Sequence, residues 1–214
     1  MADNLEVMDW DDAYRGEGEF EGPPPWNIGE PQPELAALIR AGKVRSEVLD
    51  AGCGHAELSL SLAADGYTVT GIDISPTAVQ AAAAAAEERG VAQRATFVAA
   101  DITSFTGFDG RFNTVIDSTL FHSLPVEARD GYLRAVHRAA APGAAYYILV
   151  FARGAFPAEA EMKPNEVTED ELRAAVAQFW EIDEIRPSFI HANPLPAGMM
   201  PEAMQSMPIH DSDE

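Results

Sequence analysis

The chain contains a single cysteine. Cys53 is the only one among 214 residues, so no disulfide can form within the chain. Structural disulfides belong to oxidising compartments such as the secretory pathway. The sequence therefore predicts an intracellular, reducing setting, and we expect a cytoplasmic protein.

Basic residues are also scarce. The sequence has 14 Lys and Arg against 35 Asp and Glu, a formal net charge of −21 at pH 7. Proteins bind nucleic acids and anionic lipid surfaces largely through positive side chains. We therefore expect neither a nucleic-acid partner nor a membrane partner.

Long apolar runs are absent. The longest apolar stretch, residues 139–152, is interrupted by Pro142 and Gly143, whereas a helix that spans a bilayer needs about 20 apolar residues. The first residues lack the basic and apolar regions of a secretory signal. Since 47% of the residues are hydrophobic, the sequence predicts a soluble, globular protein.

Composition divides the chain into three parts. Residues 1–32 are acidic and carry Trp10 and Trp26, large aromatics that a solvated tail does not need. For residues 1–8 we predict a solvated acidic tail. From Trp10 onward the aromatics, which include Tyr14, predict a segment that docks on the rest of the protein as a lid. Residues 33–190 are regular and form the predicted main domain, and residues 191–214 form a predicted irregular extension.

Apolar runs alternate with helical segments throughout the main domain. The predicted strands are residues 47–50, 67–72, 95–99, 112–116, 145–151 and 180–190, and the predicted helices are residues 33–40, 58–66, 75–89, 126–141 and 168–178. This alternation implies βαβ units. The predicted fold is α/β: a Rossmann-like, doubly wound, mostly parallel sheet with helices on both faces. Such sheets bind ligands at the carboxyl ends of their strands.

Two glycines follow the first predicted strand. Asp50 ends that strand, and Gly52 and Gly54 form the turn into the next helix. Glycines let the backbone approach a ligand without a clash at Cβ. Asp73 ends the second strand, at a position that commonly binds ribose hydroxyls. These residues predict a ligand that contains a nucleoside.

The charge of this region distinguishes two classes of nucleoside ligand. A dinucleotide fingerprint requires a third glycine, and Glu57 stands in its place. Together with Asp50 and Asp73, Glu57 would repel a pyrophosphate and would suit a cation. S-adenosylmethionine carries a sulfonium and an ammonium group and no phosphate. It is therefore the expected cofactor, with S-adenosylhomocysteine as the product.

The same residues resemble the class I S-adenosylmethionine-dependent methyltransferases. Asp50–Gly54 is similar to their glycine-rich first motif, Gly71–Ser75 to their ribose motif and Ala100–Ile102 to their adenine motif. Asp117, after the fourth strand, is similar to a residue near the methionine end of the cofactor. The resemblance implies that the cofactor is bound by Trp26, Asp50, Gly52, Gly54, Asp73, Ile74, Asp101, Ile102 and Asp117. Simpler alternatives exist for Asp101, as the cap of a turn, and for Asp117, as a structural acid.

Two segments indicate a subgroup. Residues 24–33 are similar to part of the thiopurine-methyltransferase-like enzymes, and residues 117–123 resemble the mycobacterial heterocyclic toxin methyltransferases. The resemblance covers residues 10–190. It implies methyl transfer, without a metal, to the hydroxyl oxygen or ring nitrogen of a small aromatic heterocycle such as a hydroxyquinolone. A thiopurine-like S-methyltransferase and a non-catalytic S-adenosylmethionine-binding module remain alternatives, and a monomer or weak dimer is expected.

Four residues are candidates for the acceptor site. His122 follows the fourth strand, and an ordinary imidazole has a suitable pKa for a catalytic base near pH 7; a histidine packed in a loop is the alternative. Phe20 and Phe121 are predicted to contact the substrate. Arg153, after the fifth strand, either steers an anionic oxygen or pairs with the acidic surface.

The end of the chain departs from the family. That fold normally ends in an antiparallel hairpin, and no strand is recognisable after residue 190. The last strand is therefore either missing from this sequence or replaced by another element.

Overall fold

The computed structural model describes residues 10–15, 24–156 and 165–193. The helices in this part of the chain are α1 (Trp10–Arg15), α2 (Pro33–Arg40), α3 (Glu57–Ala64), α4 (Pro76–Glu88), α5 (Arg129–Ala139) and α6 (Glu169–Val176). The strands are β1 (Val48–Ala51), β2 (Val69–Asp73), β3 (Ala95–Ala99), β4 (Phe112–Ser118) and β5 (Ala140–Leu149). Short 3-10 turns cover Phe121–Ser123 and Val126–Ala128.

The strands form one sheet in the order β3-β2-β1-β4-β5. All four pairings are parallel, which confirms the predicted doubly wound topology. The strand order reverses at β1, so the crevice for a ligand lies at the carboxyl ends of β1 and β4. In that register Ala51 is paired with Ile72 of β2 and with Asp117 of β4.

Both faces of the sheet are covered by helices. Leu49 and Val115 pack in a cluster with Leu133 of α5, whereas Val48 and its cluster pack against Leu58 of α3. Successive strand residues point to opposite faces, and β1 and β2 are buried along their whole length. The apolar runs of β1 and β2 are therefore central strands between two helical layers, whereas β3 and β5 lie at the edges of the sheet and are only partly buried.

Helix starts follow the expected capping chemistry. Ser75 Oγ accepts a hydrogen bond from the Ala78 amide, and Pro76 opens α4. Thr168 and Glu171 form the predicted capping box at the start of α6. These local signals were sufficient to place both helices.

The predicted strand at 180–190 is wrong. Residues 181–193 have no regular secondary structure, and their hydrogen bonds go to the segment before α2 instead of to β5. Strand β5 is thus the last strand of the sheet within the described residues. The prediction rested on a run of apolar and charged residues in the sequence. A strand forms only where the backbone of another strand lies beside it, and the sequence of this segment does not show that.

The boundary between α5 and β5 also differs from the prediction. Helix α5 begins at Arg129 and ends at Ala139, and β5 begins at Ala140. Pro142 and Gly143 were expected to end the helix, yet they lie within β5. The pairing with β4 shifts between Phe112 and Thr114, and this irregularity accommodates them at an edge strand.

Some predictions fall outside the described residues. Phe20 lies there, as do residues 194–214 of the predicted extension. In the part of the chain that is described, every helix is too short or too polar to cross a bilayer.

Candidate functional site

The turn from β1 into α3 is tightly built. Gly52 and Gly54 have φ values of 72° and 50°, in the region that favours glycine. A Cβ on Gly52 would lie 3.0 Å from Leu120, and one on Gly54 would lie 2.5 Å from the Tyr14 hydroxyl. The amides of Gly52 and Cys53 both donate to the Ile72 carbonyl, which ties the turn to β2.

Asp73 lies beside this turn with spare hydrogen-bonding capacity. It is buried, and its two carboxylate oxygens accept the amides of Gly54 (2.8 Å) and Ser75 (2.9 Å). Burial raises the pKa of the carboxyl above its usual range. The Ile74 amide is a further hydrogen-bond donor to this carboxylate. The two oxygens together offer about four lone-pair sites, so the three amides do not use all of its accepting capacity. The arrangement fits the predicted ribose contact.

Asp50 lies below the turn. Its carboxylate is buried and accepts a hydrogen bond of 2.6 Å from the Ser59 hydroxyl. Burial raises its pKa to about 6, so the carboxyl is largely ionised at neutral pH. It contributes negative charge beneath the glycines, which suits a cationic ligand.

The predicted adenine region has one apolar exposed residue. Ile74 is 58% exposed immediately after Asp73, whereas Ile102 is buried in the core. Asp101 is exposed, and its carboxylate accepts hydrogen bonds from Thr103 and Ser104. Its contacts are therefore those of the turn cap, and Ile74 offers the apolar surface for a flat ring.

Asp117 is fully buried and faces protein groups. Its carboxylate accepts the amides of Leu120 (2.7 Å) and Phe121 (3.1 Å) and the Tyr132 hydroxyl (2.8 Å). Tyr146 in turn donates to Tyr132. Burial raises the pKa of Asp117 to about 7. These contacts fix the loop after β4, which corresponds to the structural alternative for this residue.

His122 is buried between β4 and β5. Its Nδ1 accepts the Phe151 amide at 3.5 Å, and the two rings lie 4.7 Å apart. Burial, with the positive Arg129 nearby, lowers the pKa of the imidazole to about 4. The ordinary pKa expected from the sequence is therefore wrong. The ring is neutral at pH 7, and because Nδ1 accepts, the proton is on Nε2, which can only donate.

The other two described substrate candidates have structural contacts. Phe121 is 1% exposed and packs in the core, with its ring 6.5 Å from that of Tyr132. Its ring is enclosed by protein groups, and the Asp117 carboxylate accepts a hydrogen bond from its backbone amide. Arg153 is exposed and forms an ion pair of 3.4 Å with Glu171, which matches the predicted surface alternative.

Aromatic residues cover the glycine turn from the N-terminal side. Tyr14 of α1 packs on Gly54, and its ring lies 4.9 Å from that of His55. Trp26 and Trp10 meet edge to face at 6.0 Å. The sequence interpretation that the arm docks on the rest of the protein rested on its aromatic residues, Tyr14 among them, and Tyr14 lies against the glycine turn and His55.

Helix α1 is attached to the first turn of α4. The Asp11 carboxylate accepts hydrogen bonds from the Ser75 hydroxyl (2.6 Å) and the Thr77 amide (3.0 Å). These bonds lower the pKa of Asp11. An acid at a helix N-terminus is stabilised by free amides and by the helix dipole, which explains how a six-residue helix is held in place.

A second group of aromatics adjoins His122. The rings of Phe151 and Phe156 meet edge to face at 4.8 Å, and both residues are partly exposed. They follow β5, at the same edge of the sheet as the glycine turn. Sequence reasoning did not assign them to the site, because Phe151 was included in the predicted strand at residues 145–151 and Phe156 lies in the loop that follows it.

Fold and site together define the class of protein. A parallel sheet in this order, with a glycine turn after β1 and an acid ending β2, is the arrangement of nucleoside-binding α/β proteins. Residues 48–143 match a family model described as a methyltransferase domain. A curated methyltransferase is also 51% identical over 90% of the chain, so the chain belongs to the S-adenosylmethionine-dependent methyltransferases and is an enzyme of that family.

One curated relative aligns with most of the chain. The 2-heptyl-1-hydroxyquinolin-4(1H)-one methyltransferase of Mycobacteroides abscessus is 51% identical over 195 residues, which cover 90% of this chain and 85% of the relative. This similarity confirms the resemblance to mycobacterial methyltransferases that act on aromatic heterocycles.

Solved structures agree with the fold. One solved structure is described by the conversion of a disulfide bond into a thioacetal group during echinomycin biosynthesis. It has a TM-score of 0.78 and 38% sequence identity, and the match covers 87% of this chain and 83% of that chain. The 1,6-didemethyltoxoflavin-N1-methyltransferase of Burkholderia thailandensis, with its substrate and S-adenosylhomocysteine bound, has a TM-score of 0.55 and 26% identity, covering 68% and 64%.

Proposed function

We propose that this enzyme transfers a methyl group from S-adenosylmethionine to the hydroxyl oxygen or ring nitrogen of a small, hydroxyquinolone-like heterocycle. The observation that carries the proposal is the 51% identity, over 90% of the chain, to a relative named for a hydroxyquinolone substrate. The toxoflavin-type relative, which methylates a ring nitrogen, supports the same acceptor class.

The residues of the glycine turn fit the cofactor. Neither Gly52 nor Gly54 carries a side chain, and a Cβ at either position would meet Leu120 or the Tyr14 hydroxyl, so glycine keeps this backbone closely packed. Asp73 retains lone pairs for the ribose hydroxyls, and the exposed Ile74 can pack on the adenine. Asp50 and Asp73 supply negative charge for a sulfonium and an ammonium group.

The acceptor is expected beside Phe151, Phe156 and His122. Apolar surfaces with a few placed polar groups bind flat aromatic ligands. The neutral His122 can donate from Nε2 to an anionic oxygen of the acceptor. We therefore assign His122 the role of a hydrogen-bond donor that orients the substrate, in place of a base.

Alignment accounts for most of the chemistry. When bound, the cofactor supplies a methyl group on a sulfonium sulfur. The thioether formed from that sulfur is a good leaving group, so the protein does not need to activate the methyl group. The side chains of the two sites would bind and orient the acceptor beside the bound cofactor, since group transfer is fastest when the reacting atoms are aligned about 3–3.5 Å apart. A hydroxyl on an electron-poor heterocycle ionises near neutral pH, so its proton goes to solvent. No step in this scheme requires a metal.

Sulfur methylation is the second candidate. The solved relative with a TM-score of 0.78 is described by the formation of a thioacetal, so a soft sulfur nucleophile is compatible with this fold. It would use the same cofactor residues and a different acceptor.

We further propose a monomer or weak dimer in the cytoplasm, since a net charge of −21 opposes close association of copies.

Mass spectrometry of a matched substrate panel tests the proposal. The purified protein is incubated with S-adenosylmethionine and a hydroxyquinolone, the same ring carrying a thiol, and the ring without either group. We expect one methyl to be added to the hydroxyquinolone and none to the bare ring. Methylation of the thiol alone would support the S-methyltransferase. Binding of S-adenosylhomocysteine without any product would indicate a non-catalytic module.

A further inference from the structure

The segment that replaces the expected last strand holds the cover of the cofactor site. Residues 186–193, which we call the strap, run without regular structure to the segment before α2. In a sheet of this kind the last part of the chain usually adds a strand to the sheet edge. The strap instead forms its hydrogen bonds with residues near the start of the described chain. Its partners lie at Pro25, Asn27, Gln32 and Glu34.

Gln32 makes the central contact. Its side-chain amide donates to the His191 carbonyl (2.9 Å) and accepts the His191 amide (2.8 Å). On the Gln32 side this two-point pairing is buried, since Gln32 is 5% exposed, whereas His191 lies at the surface. Gln32 occupies the N-cap position of α2, yet its side chain makes no capping bond. The side chain thus serves the strap, although its position favours a helix cap.

The strap is tied by two more hydrogen bonds to the turn at residues 24–27, which we call the Trp26 turn. The Asn193 amide donates to the Pro25 carbonyl at 2.8 Å, and the Asn193 side chain donates to the Asn27 carbonyl at 2.7 Å. An ion pair of 2.6 Å between Arg186 and Glu34 adds a contact at the surface. The Trp26 turn is therefore held from the C-terminal side.

The same turn contacts the glycine turn. The Asn27 side chain donates to Nδ1 of His55 at 2.9 Å, and His55 directly follows Gly54. Trp26 packs against Trp10 of α1, the helix that places Tyr14 on Gly54. A continuous set of contacts thus runs from His191 and Asn193 to the cofactor turn.

We propose that Gln32 is a positioning residue: by holding the strap on the Trp26 turn, it sets the position of the aromatic cover over the bound cofactor. It touches neither cofactor nor acceptor. Its hydrogen bonds fix the backbone on which Trp26 and Asn27 depend, and preorganised contacts of this kind strengthen binding because less order is lost on association. The inference rests on the proposed cofactor site and adds a role for the C-terminal segment.

The test compares Gln32→Leu with the wild type. Leucine has a similar size and removes both bonds to His191. We expect the dissociation constant of S-adenosylhomocysteine, measured by calorimetry, and the KM for S-adenosylmethionine to rise about tenfold, as the loss of two ordinary hydrogen bonds implies. The kcat with a saturating acceptor is expected to change less than about twofold, because no group at the reacting atoms is altered.

Controls separate positioning from general destabilisation. Gln178→Leu removes an exposed glutamine whose side chain bonds only to the Ala174 carbonyl of α6 among the contacts seen, and it is expected to bind as the wild type does. Gln32→Glu keeps the oxygen that accepts the His191 amide, so it is expected to recover part of the affinity. If Gln32 only stabilised the fold, part of the Gln32→Leu protein would be unfolded. The measured number of binding sites per protein would then fall, while the dissociation constant of the folded molecules would stay unchanged.

The outcomes are distinct. An unchanged dissociation constant and KM in folded Gln32→Leu would overturn the proposal. If that variant does not fold, Asn193→Ala decides, since Asn193 is exposed: weaker binding supports the strap and unchanged binding overturns it. A wild-type protein that binds no S-adenosylhomocysteine would instead contradict the proposed function.

Discussion

Three buried aspartates at the strand ends differ in what their oxygens can still accept. Asp73 retains lone pairs toward the crevice, Asp50 is bonded to Ser59, and Asp117 is used by the loop after β4 and by Tyr132. Burial raises the pKa of all three. At this scale the position along the chain predicts where a carboxylate lies, and the neighbouring donors decide what it binds.

Replacing Asp73 is expected to weaken cofactor binding. A charged hydrogen bond contributes about 1.5–3 kcal/mol, so Asp73→Ala should raise the dissociation constant of S-adenosylhomocysteine at least about tenfold in calorimetry. Asp101→Ala is the comparison, because that carboxylate already caps its own turn, and it should change the affinity less. Equal affinity in Asp73→Ala and wild type would remove Asp73 from the site.

Replacing His122 is expected to slow turnover by a constant factor. The neutral imidazole donates from Nε2 at every pH well above its pKa of about 4, so His122→Ala should lose about tenfold to a hundredfold in kcat throughout about pH 6–9. Cofactor affinity should stay unchanged.

The control for His122 is His137, an exposed histidine that packs on Trp180. His137→Ala should leave the pH profile as it is. A loss in His122→Ala that shrinks as the pH rises would instead assign His122 the role of a base, since an acceptor that ionises by itself no longer needs one.

At the scale of the elements, the turn between β1 and α3 is packed so closely that its glycines have no space for a side chain. It is tied to β2 below and covered by Leu120 and Tyr14 above. The loop that carries Leu120 is in turn held by Asp117. The glycine turn, the loop after β4 and helix α1 therefore form one packed unit at the carboxyl edge of the sheet.

Two glycines with positive φ allow this packing to be measured. Gly52→Ala and Gly66→Ala each force alanine into a left-handed conformation, which costs roughly 1–2 kcal/mol of stability. Only at Gly52 would the new Cβ also meet a neighbour, Leu120 at 3.0 Å, whereas Gly66 has open space.

Both variants should therefore unfold at lower urea concentration, and Gly52→Ala alone should also bind S-adenosylhomocysteine more weakly, by about tenfold or more. The Gly66 variant separates backbone strain from contact at the site. Wild-type affinity in Gly52→Ala would show that the turn does not approach the cofactor.

For the whole molecule, buried carboxyls couple stability to pH. The pKa of Asp117 is about 7 in the folded protein, against a usual value of 3.8. A raised pKa means that the folded state keeps a proton that the unfolded state has lost. The resulting stabilisation is fully present below about pH 4 and is lost as the pH rises through about 7.

We expect the free energy of unfolding to fall between about pH 5 and about pH 8, and to fall less steeply in Asp117→Asn. Urea denaturation at a series of pH values measures both slopes. Asp109→Asn, which alters an exposed carboxylate paired with Arg138, should follow the wild type. Parallel slopes for Asp117→Asn and wild type would contradict a raised pKa at this residue.

Local signals in the sequence were enough for the repeating βαβ order and for the glycine turn. Strands buried on both faces are continuous apolar runs, helix starts carry Ser75 and Thr168, and the tight turn requires Gly52. Each depends on residues next to one another in the chain, so the amino-acid pattern determined them. The cofactor class was inferred from charge, because Glu57 stands where a phosphate site needs glycine. Only the structure shows that the Glu57 carboxylate is paired with Arg89 at 2.8 Å.

Only the tertiary structure decided matters that depend on distant neighbours. The pKa of His122 reflects burial beside Phe151, the path of residues 181–193 reflects the pairing of Gln32 with His191, and the contacts of Asp117 include Tyr132. Burial and hydrogen-bond partners arise where separate parts of the chain meet, and the free energies involved depend on that environment. Neither the order of residues nor their spacing contains that information.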